Sequence, residues 1–150
     1  MIRSHLILLV EDNPDDAELT LRAFKESKTL SEIVVATDGE QALDYLFATG
    51  SYANRDPRIT PDVVLLDLKL PKVDGLGVLQ RMRANSRTRR LPVVVLTSSN
   101  EETDILRSYD LGANSFVQKP VDFGQFLIAA RQLGLYWLGL NEPPPVTRRI

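Results

Sequence analysis

The sequence predicts an α/β fold, a parallel sheet wound on both faces by helices, and three observations predict it. Short, nearly continuous apolar runs recur along the chain, as strands buried on both faces require. Amphipathic patterns of helical period stand between them, giving the order βαβαβαβαβα. Several runs stop abruptly on an acid, a hydroxyl or a lysine. An alternation of this kind implies right-handed crossovers and a doubly wound sheet.

Leu6 to Val10 is the first strand and ends in acids. Asn13-Pro14-Asp15-Asp16 supplies an N-cap, a proline at the first helical position and acids in the first turn. Ala17, Leu21 and Phe24 then recur at helical spacing, predicting a first helix to about Lys28. Ile33 to Ala36 is the second strand. Asp38 with Gln41 has the form of a capping box, and Ala42, Leu43, Leu46 and Phe47 form the inner face of the second helix. Gly50 to Pro61 is a polar loop, long for its place between a helix and a strand.

Val63 to Leu66 is the third strand and Asp67 ends it. A third helix starts near Asp74-Gly75 and carries Val78, Leu79 and Met82 inward. Pro92 to Leu96 is the fourth strand, closed by Thr97-Ser98-Ser99. Asn100 is the expected cap of a fourth helix on which Ile105, Leu106 and Tyr109 share a face, with Gly112 terminating it. Ser115 to Gln118 is the fifth strand and runs into Lys119-Pro120. Asp122 and Gln125 cap a last helix from Phe123 to about Leu138.

A chain of 150 residues suits one domain. Apolar residues make up 43% and charged residues 25%, ordinary for a globular protein. No apolar run approaches the roughly 18 residues of a membrane span, and the N-terminus does not have the form of a signal peptide. Without cysteine there are no disulfides or thiolate metal sites, and a cytoplasmic location is expected. A net charge of −2 gives no general attraction to nucleic acid. The arginines between Arg81 and Arg90 fall where a helix ends, and their expected role is a solvated helix end that complements the dipole. His5, the one histidine, is expected at the surface away from the acids.

Open sheets of this class bind ligands at the carboxyl ends of their strands. Those ends bring Glu11 and Asp12, Asp67, Thr97 and Lys119 to one edge. Two unit charges about 4 Å apart repel by about 4 kcal/mol at an effective dielectric near 20, so three clustered carboxylates need a cation. Oxygen donors without His or Cys favour Mg²⁺, or Mn²⁺, over zinc. A carboxylate in such a pocket can act as nucleophile and form an aspartyl phosphate. Asp67, ending a central strand between the acid pair and Lys119, is the best placed.

The segments LILLVEDNPDD, VVLLDLKLPKVDG, VVVLTSS and FVQKP, in that order and spacing, resemble the receiver domain of two-component response regulators, over nearly the whole chain. The resemblance implies a flavodoxin-like (βα)5 fold with strand order 2-1-3-4-5, a receiver over residues 1–140 and a tail over 141–150 with no output domain. It implies that Asp67 is the phosphoacceptor. Asp12 would ligate Mg²⁺ directly, Glu11 through water, and the backbone carbonyl of Lys69 would be a further ligand. Thr97 would be the switch hydroxyl, Lys119 the phosphate-pairing lysine, Phe116 the rotating aromatic, and the Lys119–Pro120 bond cis. The phosphodonor would be a sensor histidine kinase. The protein would be a signalling component and an enzyme only toward its own phosphoryl group. The long Gly50–Pro61 loop and the ending LGLYWLGLNEPPP more narrowly resemble the small regulators that serve cyanobacterial phytochromes, which would make the kinase light-regulated.

On the last helix, Leu127, Ala130, Leu133 and Trp137 form a stripe expected to face the sheet. Ile128, Leu135 and Leu138 form a second stripe, suited to a tail contact or to a homodimer through helix 4, strand 5 and helix 5. Output would pass through protein contacts rather than DNA. Other readings fit less well. Dehalogenase-like phosphatases place an aspartate where Lys69 stands, and the glycine-free acidic turn Glu11 to Pro14 would repel a dinucleotide. A pseudo-receiver would not need the full set of side chains.

Overall fold

In a computed structural model, which describes residues 5–26 and 31–145, the five strands form one parallel sheet in the order β2-β1-β3-β4-β5. They are β1 (His5–Val10), β2 (Ser31–Ala36), β3 (Val63–Leu66), β4 (Val93–Thr97) and β5 (Ser115–Gln118). The helices are α1 (Pro14–Glu26), α2 (Gly39–Phe47), α3 (Gly75–Ala84), α4 (Glu102–Asp110) and α5 (Phe123–Gly134), which continues as a π-helix over Leu135–Leu140. The fold is the flavodoxin-like α/β architecture predicted. The expected end of α1 near Lys28 lies outside the described residues.

Alternation along each strand divides the core in two. Leu8, Val10, Val64, Leu66, Val93 and Val95 point to the face covered by α2 and α3, against Leu43, Leu46, Leu79 and Met82. Ile7, Leu9, Val63, Leu65, Val94 and Leu96 point the other way, onto Phe24 of α1 and Phe126 and Ala130 of α5. Each wholly buried Leu or Val contributes about 1.5–3 kcal/mol through the hydrophobic effect, so the sheet register is held by both faces at once.

The predicted caps form at three helices. Asp38, Asp74 and Asp122 each accept a backbone N–H three residues on, from Gln41, Gly77 and Gln125, at 2.8, 2.8 and 3.0 Å. Asn13 Oδ1 accepts from Asp15 and Asp16 at the start of α1. At α4 the expectation fails: Glu101, not Asn100, is the N-cap, and its side chain makes no capping bond. Ile105, Leu106 and Tyr109 do share a face of α4. It faces solvent, with Leu106 63% and Tyr109 50% exposed, and Ser108 is the buried residue of that helix.

The long loop has a core of its own. Arg55 donates to the carbonyls of Tyr45, Asp56 and Ile59, and its guanidinium lies 4.0 Å over the Tyr45 ring. Tyr45 meets Tyr52 edge to face. Arg83 also departs from the solvated role expected of the arginine run. It donates to the carbonyls of Thr88, Arg89, Leu91 and Gly112 and ties the end of α3 to the turn before β5. His5 is likewise not a free surface residue; it begins β1, half-buried, with Nδ1 3.6 Å from Asp62 Oδ2, at the opposite end of the strand from Glu11 and Asp12.

One expectation for α5 needs correcting. Ala130 is buried, and Leu127, Leu133 and Trp137 pack on the sheet as predicted. Ile128 and Leu135 are exposed, but Leu138 is only 5% exposed and belongs to the core. The cause is the π-helical end, where the Asn141 N–H reaches Tyr136 O five residues back. A wider turn rotates each residue less, which returns Leu138 to the inner face of Ala130 and Gly134.

Gly75 sets how closely α3 approaches the third strand. A Cβ there would sit 2.2 Å from Asp67 O and 2.7 Å from Leu68 Cα, both backbone atoms that cannot step aside. Gly75→Ala should therefore lower stability by about 2–3 kcal/mol, as overpacking does, read as a reduced urea midpoint with unchanged slope. A midpoint equal to the native one would contradict the close approach.

Candidate phosphoacceptor site

Register brings the functional residues together. Val10 of β1 is level with Leu66 of β3, and Leu66 with Val95 of β4. The strands therefore release Glu11 and Asp67 side by side, with Asp67 N–H bonded to Val10 O at 3.1 Å. Thr97 is level with Gln118, so Lys119 follows at the same edge, its N–H bonded to Thr97 O at 2.7 Å. Four predicted side chains (Glu11, Asp67, Thr97 and Lys119) are buried there, while Asp12 is exposed at the mouth.

Lys119 Nζ is the hub. It lies 2.6 Å from Glu11 Oε1, 2.9 Å from Asp67 Oδ2 and 3.0 Å from Asp16 Oδ2. The second Asp67 oxygen accepts the Lys69 N–H at 3.2 Å, and Glu11 accepts the Asn13 N–H at the same distance. Burial pushes the Glu11 carboxyl up to about 7, against the hydrogen bond and charge of Lys119, which lower it. Burial also disfavours the Lys119 ammonium, yet its hydrogen bonds to Glu11 and Asp67 and their charges outweigh this and hold it above its ordinary range.

Asp16 was read in the sequence only as a helix-dipole acid. Local pattern carries no signal for its contact with Lys119, because Asp12 precedes the helix and only the fold brings the lysine to the first turn of α1. The Lys119–Pro120 bond departs from its expected cis form: among the described residues no peptide bond is cis. Trans is the form favoured at X–Pro bonds by about 0.5–1 kcal/mol, and from it Lys119 already reaches three carboxylates. Thr97 is buried, with Oγ1 accepting from Ser99 N–H at 3.4 Å, a weak bond that leaves its own hydroxyl proton free to turn. Phe116 is half-buried against the cluster of Leu8, Val10 and Val95.

Glu11, Asp12 and Asp67 can each offer an oxygen, all within 4.8 Å of one another. Hard oxygen donors with no nitrogen or sulfur suit Mg²⁺ or Mn²⁺, and a net excess of acid over base favours a cation there. The donor set fits a divalent ion.

The sequence pattern of the response regulator receiver domain matches residues 7–131. This chain belongs to the response regulator receiver family. The receiver is 38% identical over 133 residues to the response regulator Rcp1 of Synechocystis, covering 89% of this chain and 88% of Rcp1. The crystal structure of the Mn²⁺-bound form of Rcp1 has a TM-score of 0.88, with 94% of this chain and 99% of that one covered. The phosphorylated cyanobacterial phytochrome response regulator RcpA gives 0.90 at 38% identity, with 95% and 100% covered. The bacteriophytochrome response regulator AtBRR gives 0.72 at 58% identity, with 93% and 99% covered.

A divalent ion held by the acids should stabilise the folded receiver by mass action, about 1.4 kcal/mol when free Mg²⁺ is tenfold above its dissociation constant. Thermal unfolding with and without MgCl₂ should show the rise in the native chain and lose most of it in Asp12→Asn. An equal rise in both would remove Asp12 from the ligand set.

Proposed function

We propose that this receiver takes a phosphoryl group on Asp67 from the phosphohistidine of a sensor histidine kinase and signals through a changed surface. The observation that carries this reading is the Lys119 ammonium 2.9 Å from Asp67, with the acid pair beside it. A carboxylate oxygen of Asp67 attacks phosphorus as the phosphorus–nitrogen bond breaks, and the electron pair leaves with the imidazole. Lys119 donates to a phosphoryl oxygen, and the Thr97 hydroxyl donates to another. Glu11, Asp12, Asp67 and the Lys69 carbonyl would hold Mg²⁺, or Mn²⁺ in its place, which when bound supplies the positive charge that offsets the crowded oxygens. Loss of the phosphoryl group to water at the same site would return the receiver to rest.

The modification adds roughly one negative charge and three acceptor oxygens. Thr97 turns toward them, and Phe116 moves into the space, biasing α4, β5 and α5 between two arrangements. The exposed apolar side chains Leu106, Tyr109, Ile128 and Leu135 support a homodimer through that face; Leu138, being in the core, is not part of it. That RcpA and AtBRR are phytochrome and bacteriophytochrome regulators supports a light-regulated kinase as partner. No helix among the described residues is long and apolar enough to cross a membrane, in keeping with action in the cytoplasm.

Incubated with Mg²⁺ and acetyl phosphate, the native chain should gain one phosphoryl mass, and Asp67→Asn should gain none. On size exclusion the modified native chain should elute as a dimer and Leu135→Glu as a monomer. A native chain that stays unmodified under saturating donor would make the protein a binding module instead.

A further inference from the structure

We propose that Asp16 is a positioning residue for phosphoryl transfer, an exchangeable counter-ion that occupies the third donor of Lys119 at rest and cedes it to the incoming phosphoryl group. The inference rests on the reading of Asp67 as acceptor. An ammonium has three N–H donors. In this structure Lys119 has three carboxylate partners, Glu11, Asp67 and Asp16, at 2.6, 2.9 and 3.0 Å. No donor is left for a phosphoryl oxygen, so one partner has to yield before Lys119 can assist transfer.

The three partners are not equally placed. The Glu11 and Asp67 side chains are 2% and 7% exposed, whereas that of Asp16 is 23% exposed. Freeing a buried carboxylate strands a charge in a low-dielectric pocket, while freeing Asp16 hands it to water. Asp16 is also the partner outside the trio able to share a divalent ion. Its backbone is fixed in the first turn of α1, its N–H bonded to Asn13 Oδ1 and its carbonyl accepting from Thr20 Oγ1. Side-chain rotation alone is therefore enough to break the contact. Asp16 thereby sets how readily Lys119 meets the donor: a bond between Asp67 and phosphorus forms, the bond from phosphorus to the leaving group breaks with its electron pair, and Lys119 exchanges the Asp16 oxygen for a phosphoryl oxygen.

The test compares initial rates of Asp67 phosphorylation by acetyl phosphate at saturating Mg²⁺, read by intact mass, across native chain, Asp16→Asn, Asp16→Glu and Asp15→Asn. Asp15 is an exposed acid of the same turn and controls for general charge. Asp16→Asn should react about threefold to fivefold faster, the size expected of one partly exposed ion pair, with Asp15→Asn close to native and Asp16→Glu restored toward native. Asp16→Asn no faster than Asp15→Asn would overturn the role. A double-mutant cycle of Asp16→Asn with Lys119→Met in urea reads the contact without any phosphodonor, and additive effects would also overturn it. Should Lys119→Met not fold, the rate comparison decides alone. A native chain that gains no mass would instead overturn the acceptor reading, and the role of Asp16 with it, even where the cycle shows coupling.

Discussion

The site depends on one ammonium. Lys119 joins acids from the end of β1, the first turn of α1 and the end of β3, and without it Glu11 and Asp67 would be two buried carboxylates with no counter-charge. A pair of like charges at that separation would repel by several kcal/mol at an intermediate dielectric. The lysine resolves the repulsion incompletely, since three carboxylates share its one charge and Asp12 stands beside Glu11 and Asp67 as a further acid. That residual negative charge is what gives the site its appetite for a divalent ion and, with the ion, for a phosphoryl group.

The ammonium is where it is because of the sheet. Parallel pairing with both faces buried resists a slip of register, since a shift by one residue would turn every side chain of a strand to the opposite face, into a layer packed for its neighbours. Leu66 level with Val10 and Thr97 level with Gln118 then fix which residues emerge together. Apolar packing thus determines polar chemistry. The close approach of Gly75 to the Asp67 carbonyl extends that control to the loop beyond Asp67.

Much of this was legible in the sequence. The apolar runs, the capping acids and the residues that end the strands depend on local pattern, and Glu11, Asp67, Thr97 and Lys119 assemble as the order of elements implied. What escaped depended on geometry that local pattern does not carry. Asp16 looked like any acid at a helix start until the fold brought Lys119 to it, across 103 positions of sequence. Leu138 was misplaced because its helix widens into a π turn that a fixed period of 3.6 cannot anticipate. Arg83 looked solvated because backbone carbonyls, which sequence patterns do not display, are its partners. The apolar face of α4 turned outward, and that exposure is itself suited to a surface that changes partners.

The most direct measurement is to locate the modified residue chemically. Borohydride reduces an acyl phosphate of aspartate to homoserine, and peptide mass spectrometry then reads its position. After treatment with acetyl phosphate and Mg²⁺, homoserine should stand at position 67 and nowhere else. Homoserine at 12 or 16 instead would mean that the ammonium presents a different carboxylate to the donor, and the account built on Asp67 would not survive it.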